Sequence, residues 1–524
     1  MMREIPWWQK GIIYHIYPRS FADSNGDGIG DLNGILQHLD YLADLGIDAI
    51  WLSPIYPSPQ KDFGYDVADY TDVDPCYGTL ADFDHLLQEA HARGIRVILD
   101  LVLNHTSDQH PWFLESRSSR TNPKADWYIW QDRIPNNWQA TFGGRAWTYD
   151  PQRGQYYLHL FLPEQPDVNW RNPEVRRAML DVVRFWLDRG VDGFRLDVFN
   201  AYFKDAQLRS NPFTPFGRRP FEWQKHLYDI DQPEMFPLLR ELRQILEAYP
   251  QRYAVGETFL STAEKAARYC GPDLLHAAFN FEFTNAPYRP AAFWREVQKW
   301  ESALGRRAWP NYVLSNHDIP RSATRYARGE EDDRLRVVLG MLLTLRGTPF
   351  LYYGEEIGMR DVALRRSEIL DPLGRHYWPF HKGRDGARTP MQWSDAPHAG
   401  FSTVRPWLRV HENYPRRNVA VMSHDEGSLL NFVKRLIRLR KRLLALQIGD
   451  LHLFQVSQAV LSYFRGCGEE EVLVTLNFAA REVPFELPAG RWEPFLDWPA
   501  VGSSSLERRI TLAPHQVLLM RRLL

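Results

Sequence analysis

Apolar and polar positions along this chain follow two alternating periods. Short apolar runs recur at 12–17, 48–52, 96–101, 193–196, 253–256, 279–283, 312–315 and 350–353. Their length and their flanking polar turns predict β-strands. Between them lie stretches with apolar residues at helical spacing. Examples are Ile35, Leu39, Leu42 and Leu45 in 35–45, and the segments 80–93, 175–187 and 237–248. Eight such strand–helix units predict an α/β fold, a (β/α)8 TIM barrel whose site lies at the carboxyl ends of its strands.

Two stretches break the alternation. Residues 104–171 are rich in Trp, Pro, Asn and Gly, and a loop of that length inside a compact domain is usually functional. We expect them to form a lid subdomain inserted after strand 3. The barrel itself is then 1–103 and 172–446. From 447 to 524 the pattern becomes short alternating segments, such as 472–477 and 510–520. These predict a C-terminal antiparallel, sandwich-like β-domain.

Composition narrows the partners. A chain of 524 residues exceeds one compact core. With 63 basic and 65 acidic residues, nothing favours nucleic acid or an anionic membrane surface. Residues 1–8 lack the apolar core of a signal peptide, and no apolar run is long enough to span a bilayer. Cys76, Cys270 and Cys467 are too scattered for a disulfide framework or a metal-binding pair. Together these features predict a cytoplasmic protein, monomeric or homodimeric. The 19 Trp, 24 Tyr and 28 Phe fill a core first, but their flat faces also suit the C–H faces of sugars.

Four of the predicted strands end in ionisable residues. The strings are Asp100-Leu-Val-Leu-Asn104-His105, Gly193-Phe-Arg195-Leu-Asp197, Val255-Gly256-Glu257 and Ser315-Asn316-His317-Asp318. Carboxyl groups gathered at one barrel mouth suit glycoside cleavage, which needs a proton donor and a second carboxylate on the other face of the sugar. Asp197 is the candidate nucleophile. Arg195, two residues earlier, faces the same side of the strand; it is expected to keep Asp197 ionised and to stand among the residues that touch substrate. Glu257 is the candidate general acid/base, with its pKa expected to rise through partial burial.

The four strings resemble the four sequence regions of the α-amylase family of glycoside hydrolases, family 13. Gln165-Pro-Asp-Val-Asn169 resembles a fifth region, that of the α-glucosidase and oligo-1,6-glucosidase subfamily. The resemblance runs from Trp7 to roughly Trp393. It implies a retaining α-glycosidase with Asp197 as nucleophile, Glu257 as acid/base and Asp318 as a third carboxylate that stabilises the transition state. His105 and His317 would donate hydrogen bonds to the first glucose.

Further strings refine that expectation. Lys61-Asp62-Phe-Gly-Tyr65-Asp66 resembles the segment whose Asp and Tyr close the pocket of exo-acting α-glucosidases, the Asp pairing with an Arg. Arg384 is favoured here over Arg388. Phe142, Phe161 and Gln165 would line the same pocket. Val198, after the nucleophile, accompanies α-1,6 activity in the subfamily. The loop Asp23-Ser-Asn25-Gly-Asp27-Gly-Ile29-Gly-Asp31 presents oxygen donors at alternate positions. It lacks the twelfth-position Glu of an EF-hand, and the resemblance implies one structural Ca2+ or Mg2+ bound partly through the Ile29 carbonyl. No catalytic cofactor is expected. The expected substrates are short α-glucosides such as isomaltose, maltose or sucrose. The alternative is a glucosyltransferase or isomerase on the same scaffold, like a sucrose isomerase, trehalose synthase or amylosucrase. A non-catalytic relative, like a transporter heavy chain, conflicts with the complete set of carboxylates.

Overall fold

The computed structural model describes residues 5–499 and 508–523. Residues 1–4 of the first barrel segment, and 500–507 and 524 of the C-terminal segment, lie outside the described residues. Three strands come first: β1 (Ile13–Ile16), β2 (Ala49–Leu52) and β3 (Arg96–Leu101). The lid segment follows with β4 (Trp130–Gln131), β5 (Trp147–Asp150) and β6 (Gln155–Leu158), an antiparallel sheet of its own in the order β4-β6-β5. Then come β7 (Gly193–Leu196), β8 (Tyr253–Gly256), β9 (Ala277–Ala278), β10 (Asn311–Val313) and β11 (Thr348–Tyr352). The eight outer members of this series pair in parallel in the order β10-β11-β1-β2-β3-β7-β8-β9. This is the (β/α)8 barrel.

Strand parity sorts the side chains. Tyr14, Ile50, Leu99, Phe194, Leu196 and Ala254 join the large core between strands and helices, whereas Ile13, Ala49, Trp51, Ile98, Tyr253, Val255 and Phe350 pack together inside the barrel. Successive side chains on a strand face opposite sides, so Asp100 and Arg195 share the inward face with Ile98 and Val255. The register sets Asp100 beside Arg195, Arg195 beside Val255 and Leu196 beside Gly256. Interior side chains are therefore apolar low in the barrel and charged near its carboxyl end.

Two expectations are corrected locally. The sixth barrel strand is Ala277–Ala278, not 279–283, and Phe281–Thr284 is a short helix. Asn280 ends the strand by capping that helix, its side chain accepting from the Glu282 N–H. The helical segment 35–45 is two helices, Leu32–Gln37 and Leu39–Leu45. They part at His38, whose Nδ1 lies 2.9 Å from the Gly34 carbonyl oxygen. Elsewhere local signals act as they read. Asn172 caps Pro173–Asp188 by accepting from the Glu174 and Val175 N–H groups, with Pro173 at the first position.

The C-terminal strands are β12 (Asp450–Val456), β13 (Val460–Cys467), β14 (Glu470–Asn477), β15 (Val483–Glu486), β16 (Arg491–Trp498), β17 (Arg509–Leu512) and β18 (Val517–Leu523). They form two antiparallel sheets, β12-β13-β14-β18-β16 and β15-β17. Leu473, Phe485, Trp492, Leu512 and Met520 fill the space between them. Cys76, Cys270 and Cys467 are all free thiols. Among the described residues no helix is long and apolar enough to cross a membrane.

Candidate active site

The strand ladder continues one step beyond β7 and β8. The Asp197 N–H donates to the Leu101 carbonyl at 3.0 Å, and the Glu257 N–H donates to the Leu196 carbonyl at 2.9 Å. Both carboxyls thus stand at the carboxyl rim, fixed by backbone rather than by flexible loops. Gly256 permits this approach, because a Cβ there would lie 2.3 Å from the Phe199 ring and 2.6 Å from Leu275. Val198, immediately after Asp197, has φ +35°. A β-branched residue in left-handed backbone is strained. The turn brings the Val198 N–H within 3.3 Å of Glu257 Oε2.

Below the carboxyls lies Arg195, wholly buried. One of its terminal nitrogens donates to Asp100 at 2.7 Å and Asp197 at 2.6 Å, and the other to Glu257 at 2.5 Å. Three carboxyls thus crowd one guanidinium, and burial of the group raises the cost of full ionisation. Burial pushes Asp197 well above the usual carboxylate range. Arg195 opposes that push, while the charges of Glu257 and Asp100 reinforce it. Asp100 is pushed up to about 6, first by burial. Sequence reasoning kept Asp197 ionised through Arg195. In the structure that arginine is shared among three acids, and burial pushes Asp197 up in spite of it. Asp197 and Glu257 are close enough to hydrogen bond when one is protonated, and such a pair titrates as a unit.

Asp318 completes the group from the turn after β10. Ser315 and Ser322 both donate to Glu355, at 2.6 and 2.5 Å, and so hold both ends of that turn. Asp318 accepts from Arg384 at 3.1 Å and Arg388 at 2.9 Å, and His317 lies 3.1 Å away. Burial raises the Asp318 pKa, but His317, Arg384, Arg388 and Arg195 outweigh it and hold the carboxyl below its usual range. Burial itself keeps His317 neutral, so the arginines carry most of that effect.

The pocket above these groups measures about 300 Å³. Its wall includes Asp62, Tyr65, His105, Phe142, Phe161, Gln165, Asp197, Val198, Glu257, His317, Asp318 and Arg384. The structure therefore brings together every predicted catalytic and pocket residue except Arg195, which was expected to touch substrate. Arg195 lies beneath the floor with its guanidinium committed to the three acids. At the closed end Arg384 donates to Asp62 at 2.6 Å and to Asp371 at 2.7 Å. Gln165 Nε2 reaches Asp62 Oδ2 at 3.3 Å and His105 Nε2 at 3.2 Å. Arg388 instead donates to the His317 carbonyl and to Asp318, so Arg384 is the arginine paired with Asp62. Tyr65 OH donates to Asp100 at 3.0 Å and lies 2.8 Å from His317 Nε2. Burial lowers His105 to about 4, which leaves it neutral.

Sequence reasoning missed Thr141, Arg219, Phe259, Leu373 and His381, which also line the pocket, and Asp371, which anchors Arg384. Asp100 was legible at the end of the apolar run 96–101, whereas the others arrive on long loops with no periodic signal. A larger groove of about 750 Å³ at the opposite, amino-terminal end is lined by Trp8, His276 and Trp309. It contains none of these carboxylates.

The loop predicted to hold a metal is knit by its own hydrogen bonds. Asp23 accepts from the N–H groups of Asn25, Gly26 and Gly28, and Asp27 from that of Ile29. Asn25 Nδ2 lies 3.3 Å from Asp27 Oδ2. Asp31 turns away: its two oxygens serve Ser24 and the N–H of Gly34, capping Leu32–Gln37. Asp23, Asn25, Asp27 and the Ile29 carbonyl remain as hard oxygen donors, a set suited to Ca2+ or Mg2+.

A parallel barrel with buried carboxyls around a small pocket at its carboxyl mouth is the build of a glycoside hydrolase. The chain belongs to the α-amylase family: the α-amylase catalytic domain matches residues 15–449. It is 45% identical over 511 residues to a probable α-glucosidase of Rhizobium meliloti strain 1021, covering 93% of this chain and 92% of the relative. It is 40% identical over 529 residues to an oligo-1,6-glucosidase of Parageobacillus thermoglucosidasius, covering 92% of each. Among solved structures, the α-glucosyl transfer enzyme XgtA superposes with a TM-score of 0.93 at 43% identity, covering 99% of this chain and all of the other.

Proposed function

We propose that this protein is a retaining, exo-acting α-glucosidase that releases glucose from the non-reducing end of short α-glucosides. The observation that carries this reading is the Asp62–Arg384 pair closing the far end of a pocket whose floor holds Asp197 and Glu257. A terminal glucose enters until its outer hydroxyls meet Asp62, Arg384, Gln165 and His105, and a chain extended at that end has no passage. Glu257 protonates the glycosidic oxygen as Asp197 attacks the anomeric carbon, giving a glucosyl ester on Asp197. Glu257 then takes a proton from water, which displaces Asp197 from the opposite face. Proximity of the two carboxyls supports retention, because inverting enzymes separate theirs by about 6.5–9.5 Å to admit a water. Asp318, held ionised by Arg384 and Arg388, faces the positive charge that builds on the sugar ring.

Val198 and the relatives named oligo-1,6-glucosidase support α-1,6 cleavage, with α-1,4 cleavage of maltose beside it. Likeness to a glucosyl transfer enzyme supports a second reading, in which a sugar or alcohol replaces water in the second step. A structural Ca2+ or Mg2+ would sit on Asp23, Asn25, Asp27 and the Ile29 carbonyl. Millimolar Ca2+ should then raise Tm by about a degree or more, and Asp27→Ala should remove the effect.

The deciding experiment measures initial rates on isomaltose, maltose, sucrose and trehalose, with the anomer of the first-formed glucose read by NMR. Free α-glucose as the dominant product supports the reading. β-Glucose first would overturn retention, and isomer or polymer with little free glucose would overturn hydrolysis.

A further inference from the structure

Asp62 reaches the closed end of the pocket from a segment of strained backbone. Gln60 has φ +61° and Phe63 has φ +51°, so two non-glycine residues in left-handed backbone flank Lys61 and Asp62. Such residues cost free energy and persist only where their surroundings hold them. Asp66 supplies one hold, accepting from the N–H groups of Lys61 and Asp62 at 2.9 Å each. Asp74 supplies a second, accepting from the Ser58 N–H at 3.0 Å and from Gln60 Nε2 at 2.8 Å.

A third hold comes from Arg19, in the turn Pro18–Ser20 that follows β1. One of its terminal nitrogens donates to Gln60 Oε1 at 2.9 Å. Its guanidinium carbon lies 5.3 Å from the centre of the Phe63 ring and 4.9 Å from that of Trp407, within the range of cation–π attraction. One side chain therefore grips both left-handed residues. The turn that carries it is pinned in turn: the Arg19 carbonyl accepts from the Gly30 N–H at 2.8 Å, and the Ser20 carbonyl from the Met391 N–H at 2.8 Å. Arg19 is 8% exposed. A buried guanidinium normally faces a carboxylate, whereas the bonds of Arg19 run to the Gln60 amide and the Tyr77 hydroxyl. The pocket wall includes Asp62 but not Arg19, Gln60 or Phe63, so whatever Arg19 does for substrate passes through Asp62.

We propose that Arg19 is a positioning residue for Asp62. By fixing Gln60 and Phe63 on either side of it, Arg19 keeps the Asp62 carboxyl on Arg384 and Gln165, where it meets the hydroxyls of the terminal glucose. The proposal rests on the α-glucosidase reading above and adds to it the device that sets the shape of the closed end.

The test is a double-mutant cycle on the full chain, read as kcat/KM on isomaltose and maltose. Arg19→Met keeps most of the bulk of the side chain and removes its charge and its hydrogen bond. Alone it should lower kcat/KM about tenfold, the scale of one displaced contact group. In the Asp62→Asn background the same change should cost less than about twofold, because a residue that acts only through Asp62 has little left to position. A merely structural role would lower activity alike in both backgrounds. Arg19→Lys keeps the charge without the planar fork. It should show a smaller loss with the same pattern, and it carries the cycle if Arg19→Met does not fold. No loss in the folded variant, or a loss that persists in the Asp62→Asn background, would overturn the proposal. A wild-type chain inactive on both disaccharides would instead overturn the α-glucosidase reading beneath it.

Discussion

Asp62→Asn isolates the closed end of the pocket. Asp62 uses its two oxygens differently: Oδ1 accepts from Arg384 at 2.6 Å and Oδ2 from Gln165 at 3.3 Å. Asparagine has the same shape but only one oxygen, so its amide must face one of two donors. Either Arg384 or Gln165 is pushed away, and the charge that strengthens hydrogen bonds to sugar hydroxyls is gone. Losing one charged hydrogen bond and displacing a second donor costs about 2–3 kcal/mol of transition-state binding. That corresponds to a loss of about 30- to 150-fold in kcat/KM on isomaltose or maltose.

Stability should respond differently. Burial raises the Asp62 pKa even though Arg384 and Arg388 pull it down, so the ionised carboxylate costs folding energy at neutral pH. Arg384 keeps Asp371 and Asp318 as partners, so no guanidinium is stranded. Relief of the buried charge and the new donor contact oppose each other, and Tm should stay within about 4 °C of wild type. The sign of the pH effect follows from the raised pKa. Wild type gains stability relative to its unfolded chain as pH falls through that pKa, and the variant lacks that gain. The assays are kcat/KM on the two disaccharides and thermal melts at neutral and acid pH. A loss under about threefold, or a fall in activity matched by a large fall in Tm, would refute the role given to this pair.

Asp197→Asn should abolish turnover while substrate still binds. Glu257→Gln should cost about 10²–10⁴-fold on maltose and much less on α-glucosyl fluoride, whose leaving group needs little protonation; equal losses on both would exclude Glu257 as the acid. Asp100→Asn should move the acid limb of the kcat/KM profile to lower pH, since the Asp100 charge is one cause of the raised Asp197 pKa. A limb that stays put or moves up would contradict the shared guanidinium. Val198→Gly should lower Tm, because losing a buried side chain from the cluster around Phe142 and Phe161 costs about 1.5–3 kcal/mol and chain entropy about 1 kcal/mol more, against about 1–3 kcal/mol of left-handed strain relieved. It should also lower the isomaltose-to-maltose rate ratio, and an unchanged ratio would remove Val198 from linkage choice.

What the sequence disclosed about this site follows from what strands do. A strand alternates its faces with a period of two. Once Ile98 and Val255 are taken as interior, Asp100 and Arg195 must be interior as well. Residues one step beyond a strand, Asp197 and Glu257, are carried to the rim by the same ladder. The reach of that logic ends where the period ends. Thr141, Arg219 and His381 arrive on loops whose paths depend on distant partners, such as the Arg219 contact with Thr141. The sixth strand was misplaced because the apolar run 279–283 fits either a strand or a helix, and the Asn280 cap decides for helix.

The charge state of Asp197 shows a deeper limit. An arginine two residues away suggests an ionised carboxylate, and that holds for one acid with one cation. The structure gives Arg195 three acids on two terminal nitrogens, and two of those acids lie 62 and 95 residues away in sequence. No local reading can count them. The consequence is functional, because a double displacement needs Asp197 ionised for attack and Glu257 able to give a proton to the leaving group and then take one from water. A cation divided among Asp100, Asp197 and Glu257 touches both partners of that exchange, and the positive charge that builds on the sugar ring in each transition state adds to it in favouring an ionised Asp197.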